Sequence, residues 1–288
     1  MRWKGRRGSR NIEDRRMQSG SRRVGKAGGV GGIGLIAVLV IGYFLGIDVS
    51  PLLQNVDGSG GQQVSVDTRI SQADREAGEF VSVVLADTEE VWSEIFQDQV
   101  GRAYRPATLV LFKGGTQSPC GGASGASGPF YCPADRKAYL DTDFFTTLSR
   151  RLGASGDFAA AYVVAHEIAH HVQNELGILA QANKIRQQVS QAESNAISVR
   201  IELQADCLSG VWARYAKARF NALERGDLKE AVNAAKQIGD DTLQRNAGRR
   251  PNPHSFTHGT SAQRQRWFKT GYENATVQSC DTFGTDRL

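Results

Sequence analysis

Apolar residues recur every three or four positions over most of the chain after residue 142, a spacing typical of amphipathic helices. The same pattern occurs earlier, from about residue 72 to residue 97. Between these regions, ATLVLF at 107–112 and GPFYCPADRKAYLD at 128–141 predict short strands. The predicted later helices cover 142–153, 155–177, 194–220, 226–239 and 262–272. The pattern therefore predicts an α+β domain over residues 68–288, mainly helical with a small β-sheet.

One stretch near the N-terminus is apolar without interruption. Residues 27–47, AGGVGGIGLIAVLVIGYFLGI, contain no charged side chain. Because about twenty helical residues span the roughly 30 Å of a bilayer's hydrocarbon core, we predict a single transmembrane helix over residues 28–47. A buried core helix or a cleaved signal peptide would also be apolar, but ten basic residues precede this stretch and no small-residue cleavage site lies before Asp48. Residues 48–67 then form a flexible linker rich in glycine, serine and glutamine.

Positive charge is concentrated in residues 1–27. This segment carries ten lysine or arginine residues and two acidic ones, whereas the rest of the chain has slightly more acidic than basic residues. Because a nucleic-acid surface needs basic residues on the folded domain, we expect no nucleic-acid partner. Positive charge before a membrane span orients the N-terminus toward the cytoplasm. We therefore expect residues 1–27 to be a solvated cytoplasmic tail, and the domain to lie outside the cytoplasmic (inner) membrane of a single-pass protein.

The four cysteines, Cys120, Cys132, Cys207 and Cys280, all follow the predicted span. An even number of cysteines in an oxidising compartment is compatible with two disulfides. Cys120 and Cys132 flank a short glycine-rich segment and are natural partners, which would leave Cys207 to pair with Cys280. Four cysteines allow three pairings, and four buried free thiols are the alternative if the orientation is reversed.

Three of the five histidines lie in AHEIAHH at 165–171. His166 and His170 are four residues apart on a predicted helix, so both imidazoles face one side and can bind one zinc ion. Glu167 projects about 100° around the axis from His166, where its carboxylate can take a proton from a water activated by zinc. The apolar neighbours indicate a buried helix, in which a hydrogen-bonded pair of structural histidines is the alternative. His171 faces another direction and is expected to take no part.

A catalytic zinc ion requires a third protein ligand and an open position for water. Glu202 and Asp206, in IELQAD, lie four residues apart on a later predicted helix that is rich in apolar residues. One carboxylate can reach the zinc ion while the other accepts the remaining N–H of a ligating histidine. Solvated surface acids are the alternative interpretation of both residues.

HEIAHH followed about thirty residues later by ELQAD resembles the sites of membrane zinc proteases such as the prenyl-protein endopeptidases and the bacterial heat-shock membrane proteases. Longer stretches resemble the bacterial neutral zinc metallopeptidase family; these are NIEDRR, CGGASGASGPFYCPADRKAYLD, HEIAHHVQ, ELQADCLSG and FTHGTSAQRQRWFKTGY. The resemblance covers nearly the whole chain. It implies one zinc ion held by His166, His170 and Glu202, with Asp206 as the carboxylate behind a histidine ligand.

Two further residues come from FTHGTSAQR at 256–264. His258 and Arg264 resemble the His-Pro-x-x-x-x-Arg element of the same membrane proteases, with Gly259 in place of the proline. An imidazole near the zinc ion can donate a hydrogen bond to the oxyanion formed when water attacks a peptide carbonyl, and an exposed loop histidine is the alternative. We expect Arg264 to pair with a carboxylate and hold this loop, and we assign no role to His254.

These features together predict a membrane-anchored zinc endopeptidase that acts on a peptide or protein substrate, with Glu167 as general base and His258 as a candidate oxyanion donor. The strand predicted at RKAYLD, residues 136–141, either pairs with extended substrate as an edge strand or lies inside the sheet. Two other classes of protein are compatible with the same residues. One is a catalytically inactive zinc-binding domain that docks a partner, and the other is a metal-free tethered interaction domain.

Overall fold

The computed structural model describes residues 1–17, 70–124 and 128–288 of the chain. The predicted transmembrane helix at 28–47 and the predicted linker at 48–67 lie outside these residues. Within the described ranges, no helix has both the length and the apolar character that a bilayer crossing requires. The predicted α+β class is confirmed, because helices dominate the described residues and surround a small sheet.

The helices begin and end close to the predicted positions. They are α1 (Gln72–Ile95), α2 (Phe144–Arg150), α3 (Asp157–Glu175), α4 (Ile178–Arg186), α5 (Gln191–Phe220), α6 (Asp227–Gln237), α7 (Asp240–Asn246) and α8 (Ser261–Asn274). A π-helical turn at Phe96–Val100 extends α1, and 3-10 turns lie at Pro253–Ser255 and Gln278–Cys280. Capping boxes begin α1, α5 and α8, where Ser71, Ser190 and Thr260 each exchange hydrogen bonds with the residue three positions later. The short helices α4 and α7 were not predicted.

The main sheet of the described residues has the strand order β1–β2–β6–β5. Strands β1 (Ile12–Asp14), β2 (Thr108–Phe112) and β6 (Lys137–Asp141) are parallel, whereas β5 (Phe130–Cys132) is antiparallel to β6. The predicted strand RKAYLD at 136–141 therefore corresponds to β6 and is interior, so the edge-strand alternative is wrong for it. The edge of the sheet is formed by β5. A separate hairpin of β3 (Gly115–Ser118) and β4 (Gly121–Ser124), which was not predicted, forms a second, two-stranded sheet.

Helix α3 lies at the centre of the domain, where it packs against α1, α5, α6 and the sheet. Helices α5 and α8 approach each other closely because both contribute a glycine to their contact. A Cβ atom on Gly210 would overlap the carbonyl oxygen of Phe268, and one on Gly271 would overlap that of Cys207. The expected disulfides Cys120–Cys132 and Cys207–Cys280 are both formed, and the second connects α5 to the segment after α8.

Residues 1–17 differ from the expectation of a solvated tail. Strand β1 extends the sheet beside β2, the Trp3 ring packs edge-on against Phe80 of α1 at 5.5 Å between centroids, and Met1 is only 7% exposed. These residues fold with the domain because their apolar side chains and basic groups both find partners on it. The sequence prediction failed here because basic residues before an apolar stretch look the same whether they are solvated or paired.

Candidate metal centre

Helix α3 carries both imidazoles of the candidate site. The helix begins at Asp157, and its side chains are buried on nearly every face because other elements pack around it. His166 and His170 are one helical turn apart, and their ring centroids lie 4.8 Å from each other. Buried polar rings require hydrogen-bonding partners, and α5 supplies carboxylate partners for both of them.

The third group is Glu202 of α5. Its Oε2 lies 3.1 Å from His166 Nε2, and its Oε1 lies 3.5 Å from His170 Nε2. One donor atom from each of the three residues lies within 4.8 Å of the other two. Zinc bonds of about 2.0–2.1 Å in a tetrahedral arrangement put ligand atoms about 3.3 Å apart, so two nitrogens and one oxygen here fit a zinc ion.

The electrostatics of the three residues also favour a cation. Burial lowers the pKa of the His166 imidazole, but the Asp206 and Glu202 carboxylates outweigh burial and raise it to about 10. Burial acts to raise the pKa of Glu202, whereas the charge of His170 and hydrogen bonds with His166 and His170 bring it well below its usual value. A metal ion that binds here would take the place of a proton that the carboxylates already attract.

Asp206 lies one turn after Glu202 and supports His166 from behind. Its Oδ1 is 3.0 Å from His166 Nδ1, although the ring N–H does not point directly at this oxygen. Arg264 of α8 donates to both oxygens of the carboxylate, at 2.8 and 3.0 Å, and the Tyr162 hydroxyl donates to Oδ1 at 2.5 Å. Asp206 is the carboxylate partner expected for Arg264, and all of these groups are buried. A surface position for Asp206 is therefore wrong.

His170 has a different support, the side-chain amide of Gln173. The Gln173 Oε1 atom is 2.9 Å from His170 Nδ1. Neither Gln173 nor Tyr162 was predicted as part of the site. The available signal was helical spacing, since Tyr162 is four residues before one ligand candidate and Gln173 is three residues after the other.

Glu167 is buried beside the donor residues, with 9% of its surface exposed. Burial raises the pKa of its carboxyl, and the charges of His170 and His166 oppose this effect. A buried carboxyl group whose pKa is raised toward neutrality suits proton transfer in both directions. The geometry is therefore compatible with the general-base role that the sequence predicts for Glu167.

His258 lies in the loop between α7 and α8, which Asp240 holds in shape. The Asp240 Oδ2 atom accepts hydrogen bonds from the backbone N–H groups of Thr257, His258 and Gly259, and its Oδ1 lies 3.3 Å from His258 Nδ1. Burial lowers the pKa of His258, but Asp240 and the charge of Glu202 raise it overall. The charge of Glu202 affects the pKa of His258, but His258 is not one of the three residues that could hold a metal ion, and its side chain is 44% exposed.

The other two histidines lie elsewhere. His171 points away from the donor cluster, where its Nδ1 contacts the Tyr131 hydroxyl at 3.0 Å and its Nε2 donates to the Arg105 carbonyl at 2.7 Å. It therefore connects edge strand β5 to α3, a structural role that was not predicted. His254 is exposed on the 3-10 turn before the His258 loop.

Comparison with known proteins identifies the family. The chain belongs to the family described as "putative neutral zinc metallopeptidase", whose model matches residues 1–283. It is 47% identical over 290 residues to the uncharacterized protein YpfJ of Escherichia coli K12, with 99% of each chain covered. It is also 45% identical over 195 residues to the uncharacterized protein Rv2575 of Mycobacterium tuberculosis H37Rv, covering 64% of this chain and 65% of the relative. No solved structure matches the chain.

Proposed function

We propose that this protein is a zinc-dependent endopeptidase that hydrolyses peptide bonds in peptides or proteins. The observation that carries the proposal is the meeting of His166, His170 and Glu202 from two helices, next to the buried carboxyl of Glu167. A zinc ion held by these three residues would acidify a water molecule and polarise the carbonyl of the bond to be cleaved. Membership of the zinc metallopeptidase family supports the same chemistry.

The side chains around the donor set have separate tasks in this proposal. Glu167 takes a proton from the attacking water and passes it to the leaving amine, so that one carboxyl group acts first as base and then as acid. His258 donates a hydrogen bond to the developing oxyanion from the loop that Asp240 holds. Asp206 and Arg264 keep the His166 ring in place from behind.

Edge strand β5 is a candidate surface for substrate. It pairs with β6 along one edge, and Tyr131 in its centre contacts His171 of the helix that carries the ligand candidates. An extended peptide can add to a free strand edge through main-chain hydrogen bonds, which would bring its backbone alongside α3. This arrangement suits an endopeptidase because the enzyme would recognise the backbone of a chain on both sides of the cleaved bond.

The proposal includes a membrane attachment through residues 28–47, for which the uncharged sequence is the support. It also includes an extracytoplasmic location of the catalytic domain. The two disulfides Cys120–Cys132 and Cys207–Cys280 support this location, because disulfides persist mainly in oxidising compartments.

Purified full-length protein tests the proposal through its zinc content and its cleavage of a quenched peptide library. Wild type and Glu167→Gln should both bind one zinc ion, and Glu167→Gln should cleave about 10²–10⁴-fold more slowly because it lacks the general base. Glu202→Ala should lose most of the zinc. Glu175→Gln, the same change on the same helix, is the matched control and should cleave like wild type.

Each outcome separates the proposal from its competitors. Normal cleavage by Glu167→Gln would contradict the mechanism. Zinc binding without cleavage of any peptide would indicate a catalytically inactive zinc domain. Wild-type protein without affinity for zinc would indicate a metal-free interaction domain.

A further inference from the structure

The first inference concerns residues 1–17, which make continuous backbone contacts with the domain. Strand β1 is parallel to β2, with Ile12 opposite Leu109 and Asp14 opposite Leu111. Hydrogen bonds extend this pairing at both ends, from the Leu109 N–H to the Asn11 carbonyl at 2.9 Å and from the Arg15 N–H to the Leu111 carbonyl at 2.7 Å. Residues 1–17 are therefore a part of the sheet rather than a segment resting on its surface.

The basic residues of this segment are matched by acidic groups of the domain. Arg6 donates to both oxygens of Asp87 at 2.8 and 2.6 Å, and Arg7 pairs with Glu90 at 2.6 Å. Both acidic partners lie on α1. Two further contacts join the segment to the domain, Glu13 with Lys137 of β6 and Arg16 with the carbonyl of Asp74 on α1. Arg16 also pairs with Asp14 of the segment itself. The positive charge of Arg6 and Arg7, which suggests a cytoplasmic flank of a membrane span, thus has a second explanation, which is charge complementarity with α1.

We infer that residues 1–17 and residues 70–288 fold together in one compartment. A β-ladder and ion pairs of less than 3 Å cannot form across a hydrocarbon core about 30 Å thick. The expected arrangement, with a cytoplasmic N-terminus and the domain outside the membrane, would put β1 and β2 on opposite sides of the membrane. Both regions therefore lie on the same side, whether or not the protein is a peptidase. This arrangement contradicts the single membrane crossing that the sequence predicts at residues 28–47, although it is compatible with an attachment to one face of the membrane.

Labelling of single cysteines tests this inference in full-length protein expressed in Escherichia coli. Lys4 and Lys269 are both exposed, one in residues 1–17 and one on α8, and the native cysteines are paired as disulfides. A membrane-impermeant maleimide is applied to spheroplasts before and after permeabilisation. Lys4→Cys and Lys269→Cys should show the same accessibility. Labelling of one before permeabilisation and of the other only afterwards would overturn the inference.

The second inference concerns Gln173 and rests on the metal site of the proposed function. The side chain is fully buried, at 0% exposure. Its Nε2 donates to the Ile201 carbonyl at 2.8 Å and to Gln204 Oε1 at 3.0 Å, and Gln204 in turn donates to the Cys280 carbonyl at 3.0 Å. These bonds fix the orientation of the amide, so that its oxygen faces His170 Nδ1.

This orientation has a consequence for the candidate ligand His170. An amide oxygen only accepts hydrogen bonds, so His170 Nδ1 carries a proton, and Nε2, which faces Glu202, is the nitrogen left to bind a metal ion. The same amide holds the backbone of Ile201, which directly precedes Glu202. Gln173 therefore connects one ligand candidate on α3 to the other on α5.

We propose that Gln173 is a positioning residue that fixes the tautomer of His170 and its distance from Glu202. Groups behind a metal ligand typically contribute 10–100-fold to metal affinity. Gln173→Leu removes the acceptor, whereas Gln173→Glu keeps an acceptor for His170 Nδ1. Gln244 provides a matched control, because it is buried with two hydrogen bonds, to Ser255 and Asn252, and contacts none of the ligand candidates.

The test is zinc affinity by chelator competition, together with thermal unfolding of metal-free protein. Gln173→Leu should bind zinc about 10–100-fold more weakly than wild type. Gln173→Glu should recover part of this loss, because it keeps the acceptor but lacks the N–H groups that bond to Ile201 and Gln204. Gln244→Leu should lower the unfolding temperature while keeping wild-type zinc affinity. The proposal is wrong if Gln173→Leu binds zinc like wild type, if Gln244→Leu weakens it equally, or if Gln173→Glu gives no recovery. Wild-type affinity tests the proposed function itself, and only the differences between variants test Gln173.

Discussion

Arginine–carboxylate pairs occur in two regions of this molecule, and burial distinguishes them. Behind the candidate metal site, Arg264 and Asp206 are 2% and 0% exposed. Between residues 1–17 and α1, the side chains of Arg7 and Glu90 are 62% and 36% exposed. An unpaired charge in the interior is not solvated by water, whereas an unpaired charge at the surface is solvated. Similar contacts therefore have different consequences in the two regions.

The difference shows how each region is held together. The interior pair belongs to a connected group in which Asp206 also contacts Tyr162 and His166, so the loss of one member leaves the others without partners. Residues 1–17 rely instead on many contacts of modest strength, which are a short strand, a few apolar side chains and several ion pairs. We expect single substitutions to disturb the first region strongly and the second region in proportion to burial.

Arg264→Met gives the strongest test of this comparison. It leaves the Asp206 carboxylate buried without its main counter-charge, so we expect a loss of about 3–5 kcal/mol in the free energy of unfolding and weaker zinc binding. Urea unfolding of full-length protein measures the first effect. The double variant Asp206→Asn/Arg264→Met should be less destabilised than the sum of the single changes, because it removes both charges. A loss below about 1 kcal/mol for Arg264→Met would show that this pair behaves like a surface pair.

The chemistry of the interior was largely predictable from sequence because helical spacing fixes it. Four-residue separations put His166 with His170, and Glu202 with Asp206, on common faces, and the predicted zinc ion required a third ligand from the second pair. Tyr162 was not predicted because its partners Asp206 and Arg264 lie on other helices. Gln173 was not predicted because the orientation of its amide depends on α5, and therefore on how α3 and α5 pack. The same limit applied to residues 1–17, whose partners on α1 are about eighty residues away in the chain. The three-residue strand β1 is also too short to show an alternating pattern.

Arg6→Met tests an intermediate case, since Arg6 is 23% exposed and its partner Asp87 is 4% exposed. Burial raises the pKa of Asp87 to about 6, and Arg6 opposes this rise. Without Arg6 the pKa of the Asp87 carboxyl rises further. At pH 8 this buried carboxyl is then ionised without a counter-charge, which lowers the free energy of unfolding, whereas at pH 5 it is neutral. We expect a loss of about 1–2 kcal/mol at pH 8 and a smaller loss at pH 5, measured by urea unfolding.

Asp87→Asn/Arg6→Met is the control for this interpretation. It removes the titrating group, so its stability relative to wild type should lack the additional loss that Arg6→Met shows at the higher pH. An equal loss at both pH values for Arg6→Met would mean that the arginine acts through its packing on the Phe220 ring, 4.7 Å away, rather than through Asp87.

Arg7→Ala should have the smallest effect, and it tests the comparison at the most exposed of the three ion pairs. Both Arg7 and Glu90 can be solvated when the pair is broken, and Glu90 retains Arg219 at 3.6 Å. We expect a loss of about 0.5 kcal/mol or less in the free energy of unfolding, and this loss should shrink as salt is raised because exposed pairs are screened. The measurement is urea unfolding at low and high ionic strength beside Arg6→Met. A loss as large as that of Arg6→Met, unchanged by salt, would mean that burial does not set the strength of these contacts. The attachment of residues 1–17 would then depend on its exposed charges as much as on the strand and apolar side chains beneath them.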